Sequence, residues 1–249
     1  MASNRLEVLD ALRGLAMLWM TLYHFCFDLN YFGLWRQDFY ADPFWTWQRT
    51  LIVSLFLFCA GFAQAWGHAH GQSARRFWRR WAQVAACAAL VSLGSWLMFS
   101  QSWIYFGILH GIAIMLILLR WSLSWGHWLW LASVAALLSK PVFEALANQV
   151  LSVGVVGWMN SPALNWLGLI TQKPITEDYA PVLPWLAVMW WGAASAQWLI
   201  RSNRLAWLAA MRPWPWLSAL GRWSLSYYML HQPVLLGSLA GLVWLLTRT

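Results

Sequence analysis

Residues 9–28 read LDALRGLAMLWMTLYHFCFD, an apolar stretch long enough to cross a membrane that also carries Asp10, Arg13, His24 and Asp28. Projected at about 100° per residue, these four residues fall within an arc of about 60° on one face of a helix. Ionisable side chains at membrane depth are costly and usually functional. The four residues therefore form one polar stripe on a single helix face, as expected if that face contacts a ligand or another polar group.

The overall composition is that of a polytopic membrane protein. The 249 residues are 61% hydrophobic and only 10% charged, with a mean hydropathy of +0.53, whereas a soluble domain carries roughly a quarter charged residues. The 24 tryptophans agree with this class, because indole favours the membrane–water interface. The three cysteines follow no metal-binding spacing and predict no disulfide framework.

The apolar segments indicate how many helices cross the membrane. Seven have close to the roughly 20 residues that a span requires, at about residues 8–30, 50–66, 82–99, 103–120, 127–146, 181–200 and 217–246. A further segment, 149–170, is interrupted by glycine, proline and asparagine, and is either an eighth span or a hydrophobic flap on one face. We predict an all-α membrane helix bundle with about seven transmembrane helices and a single integral-membrane domain over residues 1–249.

The basic residues predict the orientation of these helices. The formal net charge is +8, and the arginines cluster in short segments between apolar runs. The densest cluster, QSARRFWRRW (72–81), is expected on the cytoplasmic side, which places the N-terminus inside. Seven spans are preferred over eight because they also place a second basic group inside, namely Arg201, Arg204, Arg212 and Arg222. This distribution does not predict nucleic-acid binding.

Three histidines fall well inside predicted spans. In the predicted topology His24, His110 in YFGILHG (105–111) and His231 in SYYMLHQP (226–233) come to similar depths in the outer part of the bundle. A histidine in this setting can simply bridge two helices by a hydrogen bond of about 1 kcal/mol. For His24, however, Asp28 lies one turn away and is expected to orient the imidazole and raise its basicity.

An acidic residue, Asp178, precedes the sixth predicted span in EDYAPVLPW (177–185). An aspartate at this position is expected to cap the start of the following helix. The alternative is that its carboxylate contacts a substrate.

The arginines of residues 72–81 have two interpretations. They satisfy the charge rule for cytoplasmic loops without any ligand. Their spacing also places two or more guanidinium groups on one helix face, and such groups donate hydrogen bonds in pairs to phosphate oxygens. The residues are Arg75, Arg76, Arg79 and Arg80. Arg13 lies about 16 Å inward of His24 on the same stripe, and either extends towards the headgroups or approaches the same ligand.

The sequence thus predicts a phosphate-binding patch on the cytoplasmic side and a histidine–carboxylate base towards the outer side. This arrangement suits a protein that transfers an activated group from a phosphorylated cytoplasmic donor to an acceptor across the membrane. The same residues are compatible with a proton-coupled secondary transporter of a small solute. The sequence contains no internal repeat of the kind on which many transporters are built.

The ordered set of segments resembles the transmembrane acyltransferase superfamily, in particular bacterial members of the heparan-α-glucosaminide N-acetyltransferase catalytic-domain family. Ten residues separate Arg13 from His24, which is similar to the arginine-x10-histidine motif of the related acyltransferase-3 proteins. Arg76-Phe-Trp-Arg79 is similar to their RxxR motif. YFGILHG, DYAPVLPW and YYMLHQP also resemble recurring elements of the family.

The resemblance implies transfer of an acetyl or other short acyl group from cytoplasmic acetyl-CoA to an extracytoplasmic sugar or glycan in the bacterial inner membrane. No metal is expected, and an oligomer is left open. The motif match would make His24 the general base and place Arg13 near the donor, and the RxxR arginines, Arg76 and Arg79, would contact the phosphates of CoA. Beyond the resemblance, we predict that Asp28 and His110 are also catalytic. We also predict that Arg75 and Arg80 bind the donor and that Asp178 and His231 bind the acceptor. The base is carried over from the acyltransferase-3 motif because residues 31–49, where the lysosomal family member has its catalytic histidine, contain none.

Overall fold

The computed structural model describes residues 6–202, 204, 208 and 210–247. All regular secondary structure in these residues is helical, which confirms the predicted all-α class. The helices are α1 (Glu7–Tyr31), α2 (Pro43–Ala69), α3 (Ala74–Met98), α4 (Ile108–Ser122), α5 (Trp128–Gln149), α6 (Val153–Asn160), α7 (Trp185–Arg201), α8 (Pro215–Arg222) and α9 (Ser224–Leu246). Two short 3-10 turns, Leu123–Trp125 and Asn165–Leu167, lie between them.

Five stretches of the described chain are long and apolar enough to cross a membrane. They are α2, α3, α4 together with its following 3-10 turn, α5 and α9. Two predicted spans are weaker by these measures, since α1 carries its four-residue polar stripe and α7 has only 17 residues. The count of seven spans and the cytoplasmic N-terminus therefore stay predictions, and residues 1–5 lie outside the described part.

The ambiguous segment 149–170 does not form a long helix. It contains α6, which has eight residues and rises only about 12 Å, followed by the 3-10 turn at Asn165–Leu167. Gly168 ends that turn in the left-handed region, with φ of 94°, where glycine carries little strain. A single helical span across 149–170 is thus excluded, and its placement as a flap on one face stays a prediction.

The last predicted span, 217–246, is two helices rather than one. The backbone tightens at Trp223, whose N–H donates to the Leu220 carbonyl three residues earlier (3.1 Å). Helix α8 ends at Arg222 and α9 begins at Ser224. The sequence has no proline at this break, and a hydropathy profile therefore does not separate the two helices.

The chain divides into two compact units, which are described separately. The first unit consists of residues 1–56 and 205–249. In it, α8 and α9 pack against α1. The C-terminal half of α1 and the segment after it enclose a buried core of Met17, Met20, Tyr23, Phe39, Trp45 and Ile52.

Glycine lets two backbones of the first unit meet directly. A Cβ added at Gly221 of α8 would overlap the carbonyl oxygen of Asp10 in α1, and one at Gly14 of α1 would overlap the carbonyl oxygen of Leu217 in α8. Small residues at such crossings are a general feature of helix packing in membranes. The α1–α8 contact therefore depends on the absence of side chains at these two positions.

Gly221→Ala is expected to destabilise the protein by about 1–3 kcal/mol or more, because the added methyl group meets backbone that cannot move aside. Thermal unfolding in detergent measures this as a lower Tm. The matched control is Gly237→Ala in α9, where an added Cβ meets no atom within 4 Å. There the same substitution should stabilise slightly, by about 0.5–1 kcal/mol. Equal Tm values for the two variants would contradict the packing argument.

The second unit consists of residues 57–204. Helix α3 packs against α4, and α5 against α7. The Trp81 indole N–H donates to the Ala113 carbonyl (2.9 Å), and the Trp190 indole N–H donates to Ser122 Oγ (2.8 Å). Helices α3 and α5 leave large apolar side chains exposed, including Leu97 and Leu131, as expected for helices that contact lipid.

Candidate functional site

Two of the three predicted histidines come together in the first unit. The ring centroids of His24 in α1 and His231 in α9 lie 5.2 Å apart. One helical turn along α1, Asp28 Oδ1 accepts a hydrogen bond of 2.8 Å from Gln232 Nε2. Asp28 is only 1% exposed and His231 is 8% exposed. We call these four residues the α1–α9 polar cluster.

The partner of Asp28 differs from the sequence expectation. The carboxylate is turned towards α9 and bound by Gln232, while Nδ1 of His24 and Oδ2 of Asp28 have no hydrogen-bond partner. Asp28 therefore does not orient His24 by direct contact, since a donor on the neighbouring helix holds its carboxylate instead. Gln232 is not among the predicted site residues because its amide is not ionisable, although it directly follows His231 in the chain.

The His231 ring has a defined tautomer. Its Nδ1 lies 2.7 Å from the carbonyl oxygen of Tyr228. Because a carbonyl only accepts hydrogen bonds, Nδ1 carries the proton, and Nε2 of the neutral ring is an acceptor. The Tyr227 ring stacks on His231 at 6.1 Å, and its hydroxyl is hydrogen-bonded to Thr21 Oγ1 (2.7 Å), which ties α9 to α1.

The N-terminal end of the polar stripe is an ion pair. Arg13 Nη1 lies 3.1 Å from Oδ1 of Asp10, and Asp10 is only 2% exposed. Pairing with a buried carboxylate stabilises a guanidinium at this depth. A contact of Arg13 with a donor stays a prediction.

The basic segment of the second unit is helical rather than a loop. Helix α3 begins at Ala74, and the Ser73 side chain caps it by accepting from the Arg76 N–H (3.3 Å). The exposed arginines occupy its first two turns, and an open depression here is lined by Ser73, Arg75, Arg76, Trp78 and Arg79. The positive end of the helix dipole adds to the guanidinium charges. This surface fits an anionic ligand such as a phosphate group.

His110 is fully engaged at the start of α4. The Gly107 N–H donates to its Nδ1 (3.2 Å), so Nε2 carries the proton and donates to Ser92 Oγ (3.0 Å). The Ser92 hydroxyl in turn donates to the Ile104 carbonyl (2.7 Å). Nδ1 thus caps the beginning of α4, and Nε2 joins it to α3. This geometry suits a structural role and lends no support to the predicted catalytic one.

Asp178 caps a helix, but not the one expected. Its Oδ2 accepts from the N–H of Ile108 (2.8 Å), the first residue of α4. The helix that follows Asp178 in the chain, α7, has Pro184 at its N-cap position instead. The loop before α7 therefore folds back to α4, a long-range contact that local sequence does not reveal. A substrate contact of Asp178 stays a prediction.

Asp178→Ala is expected to lower the stability of the protein by about 1 kcal/mol, because it leaves the first amide of α4 without its acceptor. Thermal unfolding provides the measurement. Glu177→Ala removes the same charge from the adjacent, exposed residue, whose Oε1 accepts from the Ser102 hydroxyl (2.6 Å), and should have a smaller effect. A loss as large for Glu177→Ala as for Asp178→Ala would contradict the capping role.

Two tyrosines complete the polar contacts of these loops. Asn165 Nδ2 donates to the Tyr105 hydroxyl (2.7 Å), and the Tyr179 hydroxyl donates to the Asn165 carbonyl. Burial raises the pKa of the Tyr179 and Tyr105 phenols above the ordinary value. Both therefore stay protonated at neutral pH and hold the loop as neutral groups.

Comparison with protein families identifies the class of protein. The family described as heparan-alpha-glucosaminide N-acetyltransferase, catalytic, matches residues 5–233, and the chain therefore belongs to this family. The match confirms the family resemblance and, with the five apolar helices, indicates a membrane acetyltransferase. No curated protein and no solved structure matches the chain. The particular likeness to bacterial members and the relation to acyltransferase-3 proteins stay predictions.

Proposed function

We propose that the protein transfers an acetyl or other short acyl group from cytoplasmic acyl-CoA to a sugar or glycan on the outer side of the bacterial inner membrane. Family membership supports the transfer chemistry. The observation that carries the proposal is the contact between His24 and the buried His231, whose ring centroids lie 5.2 Å apart. Each ring has a nitrogen without a hydrogen-bond partner, as a group that exchanges a proton with a substrate requires.

In the proposed reaction His24 acts as general base. It removes the proton from the acceptor hydroxyl or amine while the acceptor oxygen or nitrogen attacks the thioester carbonyl. The bond from the carbonyl carbon to sulfur then breaks, and the departing CoA thiolate takes the proton from the His24 imidazolium. A positioned base of this kind contributes about 10²- to 10⁴-fold to the rate.

The donor would be held at the beginning of α3. Arg75, Arg76 and Arg79 border one open depression, and guanidinium groups bind phosphate through paired, charge-assisted hydrogen bonds. Trp78 lies in the same depression and is 46% exposed, so its indole face is available for stacking against an adenine ring. Phosphates and an aromatic base are the two features of CoA that such a surface would recognise.

A proton-coupled transporter is the second candidate. The observation in its favour is the same histidine pair, because adjacent imidazoles inside a membrane protein can pass a proton between them. A transporter would use this pair without making or breaking a covalent bond in its solute.

The test is acyl transfer by the purified protein in detergent. Labelled acetyl-CoA is incubated with a panel of neutral sugars and amino sugars, and release of free CoA thiol is compared with formation of acetylated sugar by mass spectrometry. We expect both products in equal amounts. Protein that is folded by circular dichroism yet releases no thiol and forms no acetylated product with any acceptor would contradict the proposal and favour the transporter.

A further inference from the structure

Four buried polar atoms of the α1–α9 polar cluster have no hydrogen-bond partner. They are His24 Nδ1, Asp28 Oδ2, His231 Nε2 and Gln232 Oε1. Buried polar groups are nearly always hydrogen-bonded, and leaving one unpaired costs about 1–3 kcal/mol. Four such atoms on facing positions of two helices indicate a binding site for a polar ligand.

The hydrogen-bonding character of these atoms restricts what that ligand can be. Asp28 Oδ2 is a carboxylate oxygen, and Gln232 Oε1 is an amide oxygen whose Nε2 is already committed to Asp28 (2.8 Å). His231 Nε2 is an acceptor because Nδ1 carries the proton towards the Tyr228 carbonyl (2.7 Å). Three of the four atoms can therefore only accept, while His24 Nδ1 takes either role. A complementary ligand must donate several hydrogen bonds at close spacing.

We propose that the α1–α9 polar cluster is the acceptor-binding site and that it recognises a neutral polyhydroxylated group, a sugar ring, through the ring's hydroxyl donors. This inference rests on the proposed acyl transfer. Asp28 and Gln232 then determine specificity: their free oxygens accept from neighbouring hydroxyls of one ring and hold it beside the two imidazoles. An anionic sugar is rejected because its carboxylate would meet acceptor atoms and a second negative charge in a low-dielectric site.

The assignment gives Asp28 a different task from orienting His24. A hydroxyl that donates to an imidazole nitrogen is already aligned to lose its proton to that ring. The remaining hydroxyls, fixed by Asp28 and Gln232, determine which hydroxyl takes that position. The cluster would thus select both the class of sugar and the hydroxyl that is acylated.

The experiment measures thermal stabilisation of the purified protein by neutral sugars (methyl glucoside, methyl galactoside and N-acetylglucosamine) and by glucuronate. We expect at least one neutral sugar to raise the Tm and glucuronate not to. The key variant is Asp28→Asn, which has the same shape and keeps an oxygen for the Gln232 amide, but can replace the free acceptor by an N–H donor. It should weaken neutral-sugar binding by about ten-fold, the effect of one lost hydrogen bond to a charged group.

A second variant and a matched control separate binding from folding. Gln232→Leu should also weaken sugar binding by about ten-fold or more. Tyr227→Phe removes the hydroxyl contact between the same two helices but none of the four unpaired atoms, and should bind sugars as the wild type does. Equal weakening in Tyr227→Phe would overturn the inference, because the effect would then come from loosened helix packing.

The remaining outcomes distinguish this inference from the proposed function. If CoA stabilises the wild type and no neutral sugar does, the assignment of the acceptor site is contradicted and the donor part of the proposed function is supported. If neither CoA nor a neutral sugar stabilises the wild type, both the inference and the proposed function are contradicted. If Asp28→Asn binds neutral sugars with unchanged affinity, Asp28 Oδ2 does not contact the acceptor and the inference is overturned.

Discussion

His24→Ala is expected to lower the rate of acyl transfer by about 10²- to 10⁴-fold, the range that a positioned general base contributes. The imidazole lies on the polar stripe of α1 beside His231, and its removal deletes the proposed general base. Steady-state kinetics with acetyl-CoA and a sugar from the panel provide the measurement. The loss should fall on kcat, while stabilisation by CoA should match that of the wild type.

The control for this variant is His70→Ala. His70 is exposed, and its Nδ1 contacts only the Trp66 carbonyl four residues earlier (2.8 Å). This substitution should leave turnover unchanged. Turnover of His24→Ala within about two-fold of the wild type, in protein with normal Tm, would remove His24 from the proposed mechanism, since such a change is far below a general-base contribution.

The double substitution Arg76→Ala/Arg79→Ala is expected to weaken CoA binding by about 10- to 100-fold. Hydrogen bonds to charged groups contribute about 1.5–3 kcal/mol each, and the exposure of these arginines to solvent reduces that figure. At 100 times its Kd, CoA should stabilise the wild type by about 2.7 kcal/mol. At the same CoA concentration the double variant should retain only about 0.4–1.4 kcal/mol of this stabilisation, as measured by thermal unfolding in detergent.

A matched control tests whether the effect is specific to this surface. Arg201→Ala/Arg204→Ala removes the same charge from another basic segment of the second unit, and should keep normal CoA stabilisation. An equal loss in both double variants would indicate general attraction of an anion to a basic protein. No stabilisation of folded wild-type protein at millimolar CoA would contradict the acyltransferase proposal and favour the transporter.

Sequence reasoning about the site was most accurate where a residue's position along its own helix decided the outcome. The polar stripe of α1 follows from helical periodicity, and the sequence predicts comparable depths for His24 and His231, whose ring centroids lie 5.2 Å apart. It was least accurate about hydrogen-bond partners. Asp28 was expected to contact His24 and contacts Gln232; Asp178 was expected to cap α7 and caps α4.

His110 shows why partners are hard to read from sequence. Its position in an apolar run suggested an ionisable group at membrane depth, and by that criterion it is equivalent to His24. In the structure its two nitrogens are bound at the start of α4 by Gly107 and Ser92, whereas Nδ1 of His24 has no partner. The two histidines differ in how many of their ring nitrogens are hydrogen-bonded, and neighbouring segments determine that number.

The sequence by itself determined the all-helical class, most helix positions and the face of α1 that carries polar groups, because hydropathy and periodicity are properties of consecutive residues. Only the tertiary structure decided that α8 and α9 are separate helices, that Asp178 returns to α4, and that Gln232 holds Asp28. The last two are contacts between segments far apart in the chain: Asp178 lies 70 residues from Ile108, and Gln232 lies 204 residues from Asp28. Which distant residue completes a hydrogen bond depends on how helices pack, and helix packing is not encoded in any single local stretch.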